Sequence, residues 1–185
     1  MPAPQPSTDT RRAARLVKVR SFDDRIRLIQ RQTWRTVMDR DIRALATQLV
    51  TQRCRPADPK RGQGGWCVPE RDRWAEAVVI FNFVRSRVRY TSDTYQVDTY
   101  QTGRRTLQLR AGDCDDYAIL LSGLLLSIGH PMRFKSIELR DQLERGFSHI
   151  YPEVLVEPQL WRPLDASVSQ IAGWEVLPSR VLRAR

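Results

Sequence analysis

Apolar residues recur at near-helical spacing in the segment that begins at residue 21. The repeating positions are Ile26, Ile29, Val37, Ile42, Leu45 and Leu49. Arginines stand between them, at Arg25, Arg27, Arg31, Arg35, Arg40 and Arg43. This pattern predicts one long or two shorter amphipathic helices with an arginine-rich outer face. Such a face is either simply solvated or a surface for nucleic acid, an acidic protein or anionic lipid.

Two more apolar runs predict helices further along the chain. One runs from Glu70 to about Arg87, and the other is the leucine-rich run of residues 117–128. Asp113 suits the N-cap of the second helix, and Gly129 suits its end. Residues 90–110, by contrast, form a partly extended lead-in that is rich in Thr and Tyr.

Two later segments have the character of strands. Bulky and polar positions alternate over residues 146–156, and a second short run occupies residues 160–164 after a turn-like Glu-Pro-Gln. So short a connection predicts that the two strands are antiparallel neighbours.

The predicted start of the leucine-rich helix carries a candidate nucleophile, Cys114. A free thiol has a pKa of about 8.5 and is mostly protonated at neutral pH, so it needs a base or a positive potential beside it. The N-terminus of a helix offers that potential, and its free N–H groups can also hold an oxyanion. Asp115 and Asp116 oppose ionisation of the thiol, which makes an imidazole partner more necessary.

His149 and Asp165 can complete an activated thiol. His149 lies within one predicted strand segment and can take the thiol proton and return it to a leaving group. Asp165 follows the next strand, from which its carboxylate can reach the far nitrogen of the imidazole. The alternative is a purely structural role, with Cys114 a small buried residue and His149 a hydrogen-bonded residue of the sheet.

The stretch from about Tyr90 to Asp165 resembles a transglutaminase-like domain of the papain-type cysteine enzyme superfamily. The resemblance rests on Gly-Asp-Cys-Asp-Asp-Tyr-Ala at residues 112–118, the leucine-rich continuation, Ser-His-Ile at 148–150 and Trp-Arg-Pro-Leu-Asp at 161–165. The compact length is most similar to bacteriophage and bacterial versions. The resemblance implies an α+β fold, with the cysteine at a helix N-terminus packed on an antiparallel sheet.

The same resemblance implies a catalytic set of Cys114 as nucleophile, His149 as acid and base, and Asp165 as orienter. It leaves the oxyanion-hole side chain open. Candidates for this role or for substrate contact are Tyr90, Tyr95, Gln96, Tyr100, Gln101 and Asp113. No cofactor is implied. A metal site at residues 113–116 and 149 lacks a second cysteine or histidine at ligand spacing, so we expect no metal.

Charge is distributed unequally along the chain. Residues 1–61 hold 15 Lys+Arg against 6 Asp+Glu, net +9, and residues 62–185 hold 16 against 15, net +1. We therefore predict a flexible basic tail over 1–20, a helical basic extension with a Gly/Pro-rich loop over 21–67, and the cysteine enzyme domain over 68–185. The sequence shows no signal peptide and no membrane span, so we expect a cytoplasmic or virion-associated protein.

Three other residues are of types that often have chemical roles, but we assign no such role to them. Cys54 and Cys67 flank the Gly/Pro-rich loop, and in a cytoplasmic chain we expect two free thiols. A disulfide between them would suit a protein outside the cell or in a virion. His130 is interpreted as a turn residue without a partner.

Two hypotheses about function follow. The first is a transglutaminase-like cysteine enzyme that cleaves or transfers a peptide or side-chain amide, with a peptide or protein as substrate. The second is a bacteriophage virion or assembly component that uses this fold as a binding module. In that case the basic segment would dock on nucleic acid or on an acidic virion protein.

Overall fold

The structure, a computed structural model, describes residues 19, 21–59, 61–93, 97–139 and 149–184. Its helices are α1 (Phe22–Val37), α2 (Arg40–Val50), α3 (Arg73–Arg87), α4 (Gly103–Leu109) and α5 (Cys114–Ser127). Its strands are β1 (Arg89–Tyr90), β2 (Ala111–Gly112), β3 (Met132–Leu139), β4 (His149–Glu157), β5 (Leu160–Pro163) and β6 (Val181–Ala184). This mixture of helices with an antiparallel sheet confirms the α+β class.

Helix α5 lies at the centre of the fold. Residues 116–125 are all buried, as expected for a helix that is apolar on every side. The Asp113 side chain caps the helix by accepting from the N–H groups of Asp115 and Asp116, at 3.1 and 3.3 Å. Gly129 follows the helix with φ of +91°, a conformation that glycine adopts without strain. Both predicted ends of this helix are thus confirmed.

The first basic segment forms two helices, not one long helix. Ser21 caps α1 and Asp39 caps α2. Both helices pack against α5, and α2 contributes Ile42 and Ala46 to the same core as α3 and α5. The exposed side of the pair carries arginines, as the sequence pattern predicts, at Arg27, Arg31, Arg35, Arg40 and Arg43.

Thr36 joins α1 to two neighbouring helices at very short range. Its Oγ1 accepts from the backbone N–H of Gly103 at 2.8 Å and donates to the carbonyl of Gln32 at 2.8 Å. A Cβ added at Gly123 of α5 would lie 2.2 Å from Cγ2 of Thr36, and one added at Gly103 of α4 would lie 2.4 Å away. These two glycines therefore permit the close approach of α1.

The main sheet has the order β5-β4-β3-β6, with all neighbours antiparallel. The two strands predicted around residues 149–156 and 160–164 are β4 and β5, and they pair directly. Residues 146–148 of the first prediction lie outside the described residues. A separate two-residue parallel pair, β1 with β2, aligns Tyr90 with Gly112.

Several elements were not predicted. Helix α4, which Thr102 caps, interrupts the segment expected to be extended. Strands β3 and β6 complete the sheet, and α3 begins at Arg73 after its cap Asp72, three residues later than expected.

Two expectations about single residues are wrong. Cys54 and Cys67 are joined by a disulfide, where we expected free thiols. The loop between them folds back through an Arg53–Trp66 bridge, which brings the two cysteines together. His130 is buried and its Nε2 lies 2.6 Å from Oε2 of Glu76, so it has the partner that its sequence neighbours did not suggest.

The described helices do not include any that is both long enough and apolar enough to cross a membrane.

We predict that Gly123→Ala destabilises the protein. In an exposed helix, alanine is favoured over glycine by about 1 kcal/mol. Here the clash with Thr36 reverses the sign, and we expect the free energy of unfolding to fall by about 1–3 kcal/mol. Denaturant unfolding measures the change.

Gly62→Ala is the matched control, because its added Cβ would meet only the carbonyl oxygen of Trp66, at 3.6 Å. A gain in stability for Gly123→Ala would contradict the close packing of α1 on α5.

Candidate active site

Cys114 is the first residue of α5 and is half-buried. Because Asp113 caps the helix through its side chain, the cysteine sits at the end where the backbone N–H groups point outward. Cys114 is also the single cysteine of the chain's three outside the disulfide. The structure thus places the candidate nucleophile where the sequence predicted it.

His149 and Asp165 form a hydrogen-bonded pair. His149 begins β4, and Asp165 comes two residues after the end of β5, so the antiparallel pairing brings them to the same end of the hairpin. Nε2 of His149 lies 2.6 Å from Oδ2 of Asp165. The carboxylate is buried, and its other oxygen accepts from the N–H and hydroxyl of Ser167 at 3.2 and 2.6 Å.

The tautomer of His149 follows from this pair. An imidazole N–H must donate to a carboxylate, so Nε2 carries the proton and Nδ1 of the neutral ring is an acceptor. Among the residues that the structure describes, none forms a hydrogen bond with Nδ1. The ring is therefore set to receive a proton at Nδ1.

Cys114 and His149 line one cavity of about 120 Å³. This is smaller than the roughly 300–1,000 Å³ of a typical small-molecule site. Helix α1 supplies one wall, with Phe22, Arg25, Ile26 and Ile29. The other lining residues are Asp98, Asp113, Asp115, Ser136 and Ile150.

Sequence reasoning missed the contribution of α1 to this cavity. Arg25 of α1 forms an ion pair with Asp98 at 2.9 Å, although the two residues are 73 positions apart. The arginine spacing of α1 indicated only an outer face. Arg25 instead stands beside the acidic residues around Cys114, where its charge offsets part of the rise that burial causes in the pKa of Asp115.

The surroundings of Cys114 hold the thiol in its neutral form. Burial raises the pKa of Cys114 well above its ordinary value, and the charges of Asp115 and Asp113 raise it further. Oδ1 of Asp115 is 3.9 Å from Sγ. A hydrogen bond from the backbone of Ile150 acts in the opposite direction. In this state the helix N-terminus does not produce a preformed thiolate.

The acidic residues at the start of α5 are themselves perturbed. Burial raises the pKa of Asp113 to about 6, of Asp115 to about 8 and of Asp116 to about 7. The charge of Asp113 adds to the rise at Asp115 and Asp116, and the charge of Asp93 adds to the rise at Asp113. Asp116, which is fully buried, accepts from the backbone N–H and the side-chain amide of Gln101 at 2.8 and 2.6 Å. These two bonds fasten the lead-in segment to α5.

The side chains that the sequence suggested for the oxyanion hole or for substrate contact lie in different environments. Asp113 lines the cavity, but its carboxylate caps α5. Gln101 is engaged by Asp116. The Tyr100 hydroxyl is buried without a hydrogen-bond partner in the described part of the chain. Tyr95 and Gln96 lie outside the described residues.

One group of possible metal ligands occurs among the described residues, away from the cavity. Ligand atoms of Cys54, Asp58 and Cys67 lie within 4.8 Å of one another. The two sulfurs are bonded to each other in the disulfide, however, and metals bind cysteine as thiolate. This group therefore does not offer a set of thiolate ligands.

A family model described as the transglutaminase-like superfamily matches residues 66–166, more than half of the 185-residue chain. The chain belongs to the transglutaminase-like superfamily. The match spans Cys114, His149 and Asp165, whereas helices α1 and α2 precede it. A comparison with curated proteins returned no match.

The solved structures with a similar fold include three bacterial proteins. A candidate cysteine protease from Cytophaga hutchinsonii has 17% identity and a TM-score of 0.51, over 85% of this chain and 46% of its own. A candidate protease from Parabacteroides distasonis has 13% identity and a TM-score of 0.52, over 76% and 26%. EGTA-treated LapG from Legionella pneumophila has 15% identity and a TM-score of 0.50, over 85% and 81%.

These identities support the shared fold alone. The chain spans about half of the first of these proteins and about a quarter of the second. The transglutaminase-like fold is thus common to proteins of quite different length.

We predict that the stability of this transglutaminase-like protein falls as pH rises from about 5 to about 9. Carboxyl groups with a raised pKa in the folded state stabilise it below their ordinary pKa of about 4, and the contribution is lost as pH rises through the folded-state pKa. For Asp113, Asp116 and Asp115 those values are about 6, 7 and 8. Asp115→Asn should reduce the fall in melting temperature over this range.

Asp23→Asn, an exposed position in the first turn of α1, is the control and should leave the pH dependence unchanged. Equal pH dependence in the parent and in Asp115→Asn would show that Asp115 does not titrate in this range.

Proposed function

We propose that the protein is a cysteine enzyme that transfers an acyl group from a peptide or side-chain amide through a thioester at Cys114. One observation carries this proposal. Cys114 and His149 line the same cavity, and His149 is held in the required tautomer by its 2.6 Å bond to Asp165. His149 is the acid and base in this scheme, and Asp165 is the orienter.

The proposed reaction has two half-reactions. Nδ1 of His149 takes the thiol proton as Sγ of Cys114 attacks the carbonyl carbon, whose π electron pair moves to oxygen. The tetrahedral intermediate collapses, the C–N bond breaks, and the leaving amine takes the proton from His149. Water or an amine then attacks the thioester carbonyl while His149 removes its proton. The C–S bond breaks, the acid or amide product leaves, and His149 returns the proton to Sγ of Cys114.

The electrostatics favour proton transfer that accompanies attack over a resting ion pair. Since burial and the neighbouring carboxylates raise the pKa of Cys114, the free enzyme keeps its thiol protonated. General-base catalysis requires the acceptor to be within reach when the carbonyl arrives, not a thiolate beforehand.

A peptide or protein is the substrate class that we infer. The two neighbours described as candidate proteases support it, since each is named for action on proteins. The small cavity with one wall from α1 is consistent with an extended chain that places one side chain beside Cys114. Water and an amine remain alternative acceptors.

We predict that p-nitrophenyl acetate acylates Cys114 in the parent protein. The readouts are the release of nitrophenolate and a mass increase on the peptide that contains Cys114. Cys114→Ala should abolish the burst, and His149→Ala should slow it by about 100-fold or more, because general-base catalysis contributes about 10²–10⁴-fold.

His130→Gln is the matched control, because His130 also pairs with a carboxylate but does not line the cavity. An equal burst in the parent and in His149→Ala would show that His149 is not the general base.

The arginine-rich face of α1 and α2 supports a second, separate role in docking. Arg27, Arg31 and Arg35 are exposed along one side of α1, and Trp34 among them is 61% exposed. Exposed arginines beside an aromatic ring favour nucleic-acid phosphates and bases over an acidic protein. The solved structures with a similar fold do not support a bacteriophage or virion role.

We predict that changing Arg27, Arg31 and Arg35 to Glu abolishes binding to a fluorescent single-stranded oligonucleotide at low salt. Binding by the parent should weaken steeply as salt rises, because bound counterions are released from phosphates. Fluorescence anisotropy at several salt concentrations provides the measurement.

The control changes the exposed Arg55, Arg73 and Arg105 to Glu, which alters the net charge equally. An equal loss in both variants would indicate net charge, not this face, as the cause.

We also propose a cellular compartment for the protein. The Cys54–Cys67 disulfide favours an oxidising compartment, where such bonds persist, over the cytoplasm that the sequence led us to expect.

A further inference from the structure

Asp165 makes more hydrogen bonds than its pairing with His149 requires. Its Oδ2 lies 2.6 Å from Nε2 of the imidazole. Its Oδ1 accepts separately from the hydroxyl of Ser167 at 2.6 Å and from the backbone N–H of the same residue at 3.2 Å. One oxygen of the carboxylate is thus bound to the histidine and the other to Ser167.

The carboxylate plane of an aspartate is not fixed by a single hydrogen bond. Rotation about the Cβ–Cγ bond has a broad range, so a contact at Oδ2 alone would leave the group free to turn. Two donors at Oδ1 hold the opposite end of the carboxylate. Oδ2 then remains directed at Nε2 of His149, and this contact decides which ring nitrogen carries the proton.

The hydroxyl of Ser167 is the shorter of the two contacts to Oδ1. Its distance of 2.6 Å lies in the range of O–H donors to a charged carboxylate, which are shorter and stronger than bonds between neutral groups. The backbone N–H, at 3.2 Å, lies at the long end of the normal range. Removal of the hydroxyl alone would therefore remove most of the hold on Oδ1.

Ser167 is itself held by contacts that do not involve Asp165. It lies in the loop that follows β5, and β5 is fixed by its pairing with β4. Further along the loop, the guanidinium group of Arg85 in α3 donates to the carbonyls of Ser169 and Gln170, at 2.9 and 2.7 Å. Because the loop is fixed on both sides of Ser167, this residue can hold Asp165 in place instead of following it.

Burial makes the hydroxyl difficult to replace. Asp165 is 5% exposed, and Ser167 is partly buried. The ring of the buried Tyr151 lies 5.8 Å from the ring of His149 and encloses the pair further. Since a buried carboxylate that loses a donor gains little from water, we expect the loss to appear in its remaining bond to His149.

We propose that Ser167 is a positioning residue, whose hydroxyl holds the Asp165 carboxylate in the orientation that makes Nδ1 of His149 the acceptor of the thiol proton. This assignment rests on the proposed acyl-transfer function. Ser167 does not line the cavity with Cys114, so it acts through Asp165 and not on the substrate. Its hydroxyl donates to Oδ1 throughout the reaction, while the imidazole alone takes up and returns a proton.

Two measurements on the full chain test this role. ¹⁵N NMR of the neutral imidazole shows which nitrogen carries the proton, and the burst with p-nitrophenyl acetate reports acylation of Cys114. We expect the Nε2–H tautomer of His149 in the parent. Ser167→Ala should give a mixture of both tautomers and slow acylation by about 10-fold, the order expected for one hydrogen bond to a charged group. Ser167→Thr, which keeps the hydroxyl, should restore both parental values.

Ser127→Ala is the matched control. The Ser127 hydroxyl donates to the carbonyl of Leu124 at 2.7 Å, at the far end of α5 from Cys114, so this variant should keep the parental tautomer and rate. The chain contains two histidines, and His130→Gln therefore identifies the signals of His149.

The two measurements separate failure of this role from failure of the proposed function. A parental tautomer in Ser167→Ala would overturn the role of Ser167 even if acylation were slower, because the slowing would not then act through Asp165. A mixture of tautomers that persists in Ser167→Thr would also overturn it. If the parent is never acylated, the proposed function fails, whereas a change of tautomer in Ser167→Ala would still support the hold of Ser167 on Asp165.

Discussion

The burial of α5 on every side is the constraint on which the rest of the structure depends. Four helices and the sheet pack against it, so its position is fixed by the whole core and not by a single neighbour. Because Asp113 caps the N-terminus of α5, Cys114 is the first residue of the helix and is fixed in position together with it. The candidate nucleophile is thus placed by apolar packing, whereas the side chains around it come from elements that pack against the helix.

The close contact of Thr36 with two glycines extends this dependence to α1. The contact lies toward the C-terminal end of α1, whereas the residues that line the cavity lie toward its start. A rigid helix transmits the position of one end to the other, so the fit at Gly123 also sets the distance of Ile26 and Arg25 from Cys114. The segment that precedes the superfamily match is, in this structure, part of the site.

Sequence reasoning located the ends of α5, the strand that carries His149 and the strand that ends two residues before Asp165. These features follow from local rules, because caps, stops and alternation depend on neighbours in the chain. Helix α4 and strands β3 and β6 were missed. Helix α4 and strand β6 are short, and β6 is held by its pairing with β3, more than 40 positions earlier in the chain.

The Thr36 contact and the Arg25–Asp98 ion pair were likewise invisible, since each joins residues more than 60 positions apart. The disulfide was missed for a different reason. The expectation about Cys54 and Cys67 came from an assumed compartment, whereas their meeting is decided by how the loop folds back.

The β4–β5 hairpin has a consequence for how such proteins diverge. His149 and Asp165 meet at the open end of the hairpin, and the turn near Gln159 lies at the opposite end of both strands. Residues can be added to that turn without altering the register that pairs the imidazole with its carboxylate. An insertion at this turn would therefore leave the hydrogen bond between His149 and Asp165 in place.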